Sequence, residues 1–273
     1  MTAKLDANQR FIYRAAASTD AVLLARAEPV ERESLVLAMP DAQAKGAHGA
    51  IVLPAAEHVA LTDLLAIVKS ELVDKGLGFP RLIMPPRSDS GDALQDVRDY
   101  CLVYDFAAQA RALSVITKID RIQDAKGVSV SPVQGSEISA TLRDEFVEEM
   151  TGGGYFTADF WESLLADGAS ALSVKLLCAR LGDGDAGLGA IVAGQVELRL
   201  LALFTRSEMR GNGVGRMLLG HFLQAAREAT APLVSASYAA EGGAEFYFDK
   251  YGFARTVGWT AHRPPSPGFF APG

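Results

Sequence analysis

The stretch that most restricts what this chain can fold into is RSEMRGNGVG, residues 206–215, a glycine-rich turn set between two runs of different period. Before it, VELRLLALFT reads as a strand. After it, Met217, Leu218, Phe222, Ala225 and Ala226 recur at helical spacing through RMLLGHFLQAAREA, and PLVSASY then reads as a further strand. A strand therefore feeds through glycines into the first turn of a helix. Glycines let the backbone adopt dihedrals closed to other residues and approach a ligand closely, while the free N–H groups and dipole of a helix N-terminus attract phosphate oxygens. The turn is predicted to hold a pyrophosphate, with Arg210 and Arg216 adding charge at its edges.

Residue pattern separates the phosphate loops that use such glycines. A Walker loop needs Lys followed by Ser or Thr after its last glycine, whereas Gly215 is followed by Arg216 and Met217. A dinucleotide fingerprint starting at Gly211 needs glycine at position 216, which is arginine. A literal G-x-G-x-x-G does occur at Gly182, Gly184 and Gly187, but Asp183 and Asp185 would repel phosphate and no helix follows. It reads as a hairpin turn between LSVKLLCARL and LGAIVAG.

Upstream, SEISATLRDEFVEEM and FTADFWESLLADG read as two amphipathic helices; downstream, GGAEFYFDKYGF reads as a short helix ended by Gly252 and ARTVGWTAHR as a closing strand. The first half repeats part of this order: GAIVLP strand, ALTDLLAIVKSELVDKG helix, PRLIMPP strand, ALQDVRDY helix, CLVYDF strand. Ile83 to Cys101 spans 18 residues, as does Val234 to Gly252. A diverged internal duplication is expected, with domains 1–127 and 128–273 and KIDRIQDAKGVSVSPVQGSE as the linker.

Composition narrows the function classes. With 26 basic and 33 acidic residues the formal net charge is -7, which argues against nucleic-acid and anionic-membrane partners. The only cysteines, Cys101 and Cys178, sit in apolar runs and read as buried thiols, so neither a disulfide framework nor a metal site is expected. The N-terminus lacks a signal-peptide core and no run reaches the length of a membrane span, so a cytoplasmic protein is expected.

On RGNGVGRMLL and AEFYFDKYGF, the stretch from about Ser136 to Arg263 resembles the GNAT superfamily of acyl-CoA-dependent N-acyltransferases. The resemblance implies an α/β (α+β) fold with a mixed, mostly antiparallel sheet flanked by helices, in two tandem copies of which the N-terminal one is degenerate. It implies acetyl-CoA as co-substrate and no metal. Gly211, Asn212, Gly213, Val214 and Gly215 would hold the coenzyme pyrophosphate, and Leu203, Phe204 and Thr205 would align the thioester arm through backbone groups. The equivalent first-half loop, PAAEHVAL, has no glycine and carries Glu57, so no coenzyme is expected there.

Acyl transfer to an amine needs a neutral amine, an oxyanion stabiliser and a proton for the departing thiolate. The resemblance implies Glu197 as the base, with Glu241 as a weaker candidate. The tyrosine that commonly supplies the proton aligns with Phe248, which cannot donate one, leaving Tyr247 and Tyr251 as candidates. His221 reads as a surface residue of the long helix and His262 lies on the closing strand. Asp144, Glu145, Glu148, Glu149, Tyr155, Phe156, Trp161 and Trp259 are candidates for an acceptor pocket suited to a cationic small molecule or peptide amine. The expected protein is an acetyl-CoA-dependent N-acetyltransferase acting on a primary amine as a monomer or homodimer. The alternative is a non-catalytic acyl-CoA sensor, which Phe248 motivates.

Overall fold

A computed structural model describes residues 5–32, 35–40, 48–55, 57–76, 80–86, 97, 103–112, 125–152, 156–167, 173–194, 196–229, 232–239 and 254–263. The chain forms two compact units, one of residues 1–110 with 256–273 and the other of residues 111–255.

The N-terminal unit opens with α1 (Ala7–Ala25). Asp6 accepts from the Gln9 N–H and Gln9 returns a bond to the Asp6 N–H, so two orphan donors are satisfied at once. Arg26 ends the helix in the left-handed region at φ 53°, donating its N–H to Val22. Strands β1 (Pro29–Arg32), β2 (Leu35–Ala38) and β3 (Ala50–Val52) pair antiparallel in sequence order. Helix α2 (Leu61–Val68), prolonged by a wider turn over Lys69–Val73, then crosses to β4 (Arg81–Met84), parallel to β3. All of β2 and β3 is buried, which is why these strands are apolar throughout instead of alternating. The core gathers Leu35, Leu37, Ile51, Leu64, Leu72 and Leu82. Residues 103–112 form β5 (Val103–Ala112); of ALQDVRDY only Val97 is described.

The C-terminal unit starts with β6 (Val128–Val133), so the second part of the expected linker is strand. VSVSPV sits at a sheet edge, where Pro132 has a place. A short turn at Gly135–Glu137 leads into α3 (Ala140–Gly152) and α4 (Ala158–Asp167). Strands β7 (Ser173–Leu181), β8 (Gly184–Ala193) and β9 (Glu197–Thr205) follow, then α5 (Val214–Glu228) and β10 (Leu233–Ala239). The sheet order is β6-β7-β8-β9-β10, antiparallel except for the β9/β10 pair that α5 connects. The false G-x-G-x-x-G is the β7/β8 hairpin, turned by Gly182 at φ 60°. Leu218, Leu219, Phe222 and Ala226 of α5 pack on Leu198, Leu200, Val234 and Ala236 of the parallel pair.

Each unit therefore carries an antiparallel strand followed by a parallel strand–helix–strand crossover, β2-β3-α2-β4 and β8-β9-α5-β10. The closing strand β11 (Ala254–Arg263) was expected to complete the second half; it pairs antiparallel with β4, with Thr260 opposite Met84 and His262 opposite Leu82. From Thr256 on it groups with the N-terminal unit, across the expected boundary at 127/128. Buried Trp259 fastens it there by donating Nε1–H to Asp20 of α1 at 3.0 Å. Among the described residues no helix is long and apolar enough to cross a membrane.

Candidate functional site

The site begins at the C-terminal end of β9, which pairs in parallel with β10. The β9/β10 ladder includes the pairs from Glu197 opposite Leu233 to Leu200 opposite Ala236, and β9 continues to Thr205. After Leu200 β9 carries a bulge: Ala190 of β8 faces Ala202 and Ile191 faces Leu200, which leaves Leu201 without an opposite residue. A bulge bends its strand and increases local twist. Leu203, Phe204 and Thr205 follow this bulge and lead into the glycine turn.

The glycine turn closes the end of this strand. Gly211 and Gly213 have φ of 86° and 85°, a region that side chains disfavour. Gly213 is the N-cap of α5 with no side chain capping the helix, so the N–H groups of the first turn, from Val214 to Arg216, have no intrahelical partners. A Cβ on Gly213 would come within 2.8 Å of the Ala125 Cβ and 3.2 Å of Arg216 Nη2. Arg216 thus folds back over the turn, and its buried Nε has no acceptor among the described residues. Asn212 braces the turn by donating Nδ2–H to the Met209 carbonyl at 3.2 Å. The helix start is seated on β8 by Gly187, where a Cβ would lie 2.6 Å from the Phe204 carbonyl oxygen and 2.7 Å from Val214 Cγ1.

Helix α3 runs beside the turn and is laced to it. Arg206 donates to Glu145 through Nε at 3.1 Å and Nη2 at 2.9 Å, and its Nη2 also lies 2.6 Å from Glu208. The Arg206 hydrogen bond holds the Glu145 carboxyl below the usual carboxylate range. One helical turn on, Glu149 lies 3.3 Å from Arg210, whose Nε donates to the Thr205 carbonyl at 3.3 Å. Of the acids grouped as acceptor contacts, Glu145 and Glu149 serve as partners of the turn's arginines, while Asp144 and Glu148 are exposed. The lacing went unread in the sequence, although the spacing of four between Glu145 and Glu149 matches that between Arg206 and Arg210.

Glu197 occupies an unexpected setting for a base. Its side chain and that of Arg199 are 1% and 0% exposed, and they meet in a forked pair at 3.2 and 2.8 Å. Buried Ser235, on β10, donates a further short hydrogen bond to the same carboxylate. A carboxylate whose oxygens are already taken by guanidinium and hydroxyl donors is poorly placed to accept a proton from an amine. Glu197 and Arg199 lie on the strand face opposite Leu198 and Leu200, hence on the side away from α5. Further along this strand Phe204 meets Phe146 edge to face at 5.9 Å, and Phe146 meets Trp161 at 5.4 Å. Phe156 and Trp161 are thus core members of an aromatic cluster. Trp259 belongs to the N-terminal unit, as does His262, whose Nε2 lies 2.9 Å from Thr260 Oγ1. His221 is exposed on α5. Tyr155, Glu241, Tyr247, Phe248 and Tyr251 lie outside the described residues.

No family model matches the sequence, and no curated protein matches it. Solved structures share its fold over nearly the whole chain. A GCN5-related N-acetyltransferase from Kribbella flavida is 14% identical, with a TM-score of 0.62 over 94% of this chain and 96% of that one. A functionally unknown conserved protein from Staphylococcus epidermidis is 10% identical, with a TM-score of 0.56 over 86% and 93%. A tandem GNAT protein from the clavulanic acid biosynthesis pathway is 16% identical, with a TM-score of 0.50 over 95% of each chain. At these identities the likeness establishes the mixed α/β fold of GNAT acetyltransferases.

Proposed function

We propose that this chain, built on the GNAT fold, is an acyl-CoA-dependent N-acyltransferase whose C-terminal unit takes the donor, with acetyl as the acyl group and a primary amine as the acceptor. One observation carries the reading: β9, bulged at Leu201, runs within one unit into a positive-φ glycine turn at an uncapped helix N-terminus. The donor set suits a pyrophosphate, since the α5 N–H groups and the unpartnered Arg216 Nε are all donors. In this reading Gly211 to Gly215 hold the pyrophosphate, Arg210 and Arg216 flank it, and the pantetheine arm lies along Leu203, Phe204 and Thr205. A β9 N–H donates to the thioester carbonyl, which stabilises the oxyanion as the amine adds. The neutral amine nitrogen forms the new C–N bond and releases its proton to water, the C–S bond breaks, and the thiolate takes a proton from Tyr247 or Tyr251, which regains one from solvent. Glu197 neutralises Arg199 and is assigned no proton transfer.

A second reading, an acyl-CoA sensor without turnover, is favoured by the same buried pair together with Phe248 at the usual tyrosine position. Monitoring free thiol while purified protein is mixed with acetyl-CoA and a panel of small-molecule and peptide amines separates the two. Amine-dependent thiol release is expected for the enzyme; saturable acetyl-CoA binding without release from any amine would favour the sensor.

A further inference from the structure

The N-terminal unit keeps a pocket beside the end of its own parallel pair, β3 and β4. After Val52 pairs with Ile83, the Leu53 N–H still donates to the Ile83 carbonyl at 2.9 Å. Buried Tyr13 of α1 then donates its hydroxyl to the carbonyls of Leu53 at 2.8 Å and Ile83 at 3.1 Å. Next to this stitched end lies a pocket of about 130 Å³ with Arg10 and Arg14 of α1, Glu57, and the apolar Val36, Val52 and Pro54 in its walls. Arg10 and Arg14, four residues apart on a helix, share one face.

We propose that this pocket binds a small aliphatic carboxylate. The volume suits a ligand of a few heavy atoms and excludes a nucleotide. Forked guanidinium groups pair with a carboxylate through two parallel hydrogen bonds. The Leu53 N–H and carbonyl are already hydrogen-bonded, and Tyr13, Val36, Val52, Pro54 and Ala55 complete the lining, so the part of the ligand away from the arginines is matched best by hydrocarbon. A phosphate, with charge on every side, leaves those walls unmatched. Arg14 is held 2.9 Å from Glu31, but both side chains are more than half exposed, so a ligand carboxylate replaces that partner at little cost. Glu57 stands ready for an ammonium group if the ligand is an amino acid.

The test is calorimetric titration of the full chain at low ionic strength with isovalerate, L-valine and inorganic phosphate, repeated on Arg10→Gln and Arg14→Gln. Saturable one-site binding of isovalerate or valine is expected, weakened about tenfold or more in each variant with an unchanged melting temperature. Tighter binding of valine than isovalerate, lost in Glu57→Gln, identifies an amino acid; equal binding identifies a simple acid. Absence of saturable binding by either acid, tighter binding of phosphate, or affinities indifferent to both arginine substitutions would overturn the proposal. Should a variant fail to fold, nuclear Overhauser contacts between isovalerate methyls and Val36 or Val52 in the wild type decide: their presence supports the pocket and their absence overturns it. Acetyl-CoA titrated separately reads the other unit's site, so either proposal can fail alone.

Discussion

Glu197 and Arg199, two residues apart on β9, are both buried and joined by a forked ion pair with its shortest contact at 2.8 Å. Removing one charge strands the other where water cannot reach it. Glu197→Gln is therefore expected to destabilise the protein by about 3–5 kcal/mol, while replacing both residues with apolar ones of similar volume costs far less. Chemical denaturation of the single and double variants checks this. A stable Glu197→Gln protein whose kcat falls and whose pH–rate profile loses its rising limb would instead return Glu197 to the role of base.

Gly187 and Gly135 are both sites of close backbone approach, but they support different things. A Cβ at Gly187 meets Phe204 and Val214 at the start of α5, whereas one at Gly135 overlaps the Leu165 carbonyl at the end of α4. Gly187→Ala is expected to lower stability by about 1–3 kcal/mol and to weaken acetyl-CoA binding, because the helix start must shift. Gly135→Ala is expected to lower stability while folded protein keeps its donor affinity. Equal effects on affinity in the two variants would contradict the placement of the donor at α5.

Asp185 joins three elements: it accepts from the Ser139 N–H at 3.3 Å at the start of α3 and from Arg180 Nε at 3.1 Å, and the Cys178 thiol lies 3.6 Å away. Burial alone would raise its pKa, but the hydrogen bonds from Ser139 and Arg180 outweigh it and hold the carboxyl below its ordinary 3.8. A folded-state pKa below the unfolded one adds stability that is present above about pH 3.8 and is lost as pH falls through the folded value. Asp185→Asn should flatten the acid limb of a stability–pH curve in that window and leave the slope near neutrality unchanged. An unchanged acid limb would refute this.

Glu149 and Arg210 form an exposed pair at the edge of the glycine turn. Such pairs add little stability, yet this one sets a negative charge beside the expected phosphate. Glu149→Gln is expected to leave the melting temperature unchanged and to tighten acetyl-CoA binding about two- to fivefold, an advantage that shrinks in 1 M salt. Weaker binding in this variant would show that Glu149 aids donor binding.

Local features were legible in the sequence because their causes are local. The glycine turn, the α5 stripe of Leu218, Phe222 and Ala226, and the hairpin at Gly182 follow from dihedral freedom and periodicity. The features that were not legible join distant residues. Trp259 bonding Asp20, which carries β11 into the N-terminal unit, spans 239 positions. Ala125 against Gly213 arises only once β6 has paired, and Leu201 becomes a bulge only because β8 offers one residue too few. The Glu197–Arg199 pair was hidden for another reason: charges at alternate strand positions read as a solvated face, and only the folded chain buries them.

The most direct test of donor binding is a calorimetric titration with acetyl-CoA of the wild type, Gly213→Asp and Gly211→Asp. Gly213→Asp adds both a charge and a clash with Ala125, whereas a Cβ at Gly211 meets nothing within 4 Å, so the second variant adds charge at less structural cost. One equivalent is expected to bind the wild type, with affinity lost in Gly213→Asp and reduced at least tenfold in a folded Gly211→Asp protein. Unchanged affinity in both variants would contradict the assignment of the glycine turn to the donor's pyrophosphate.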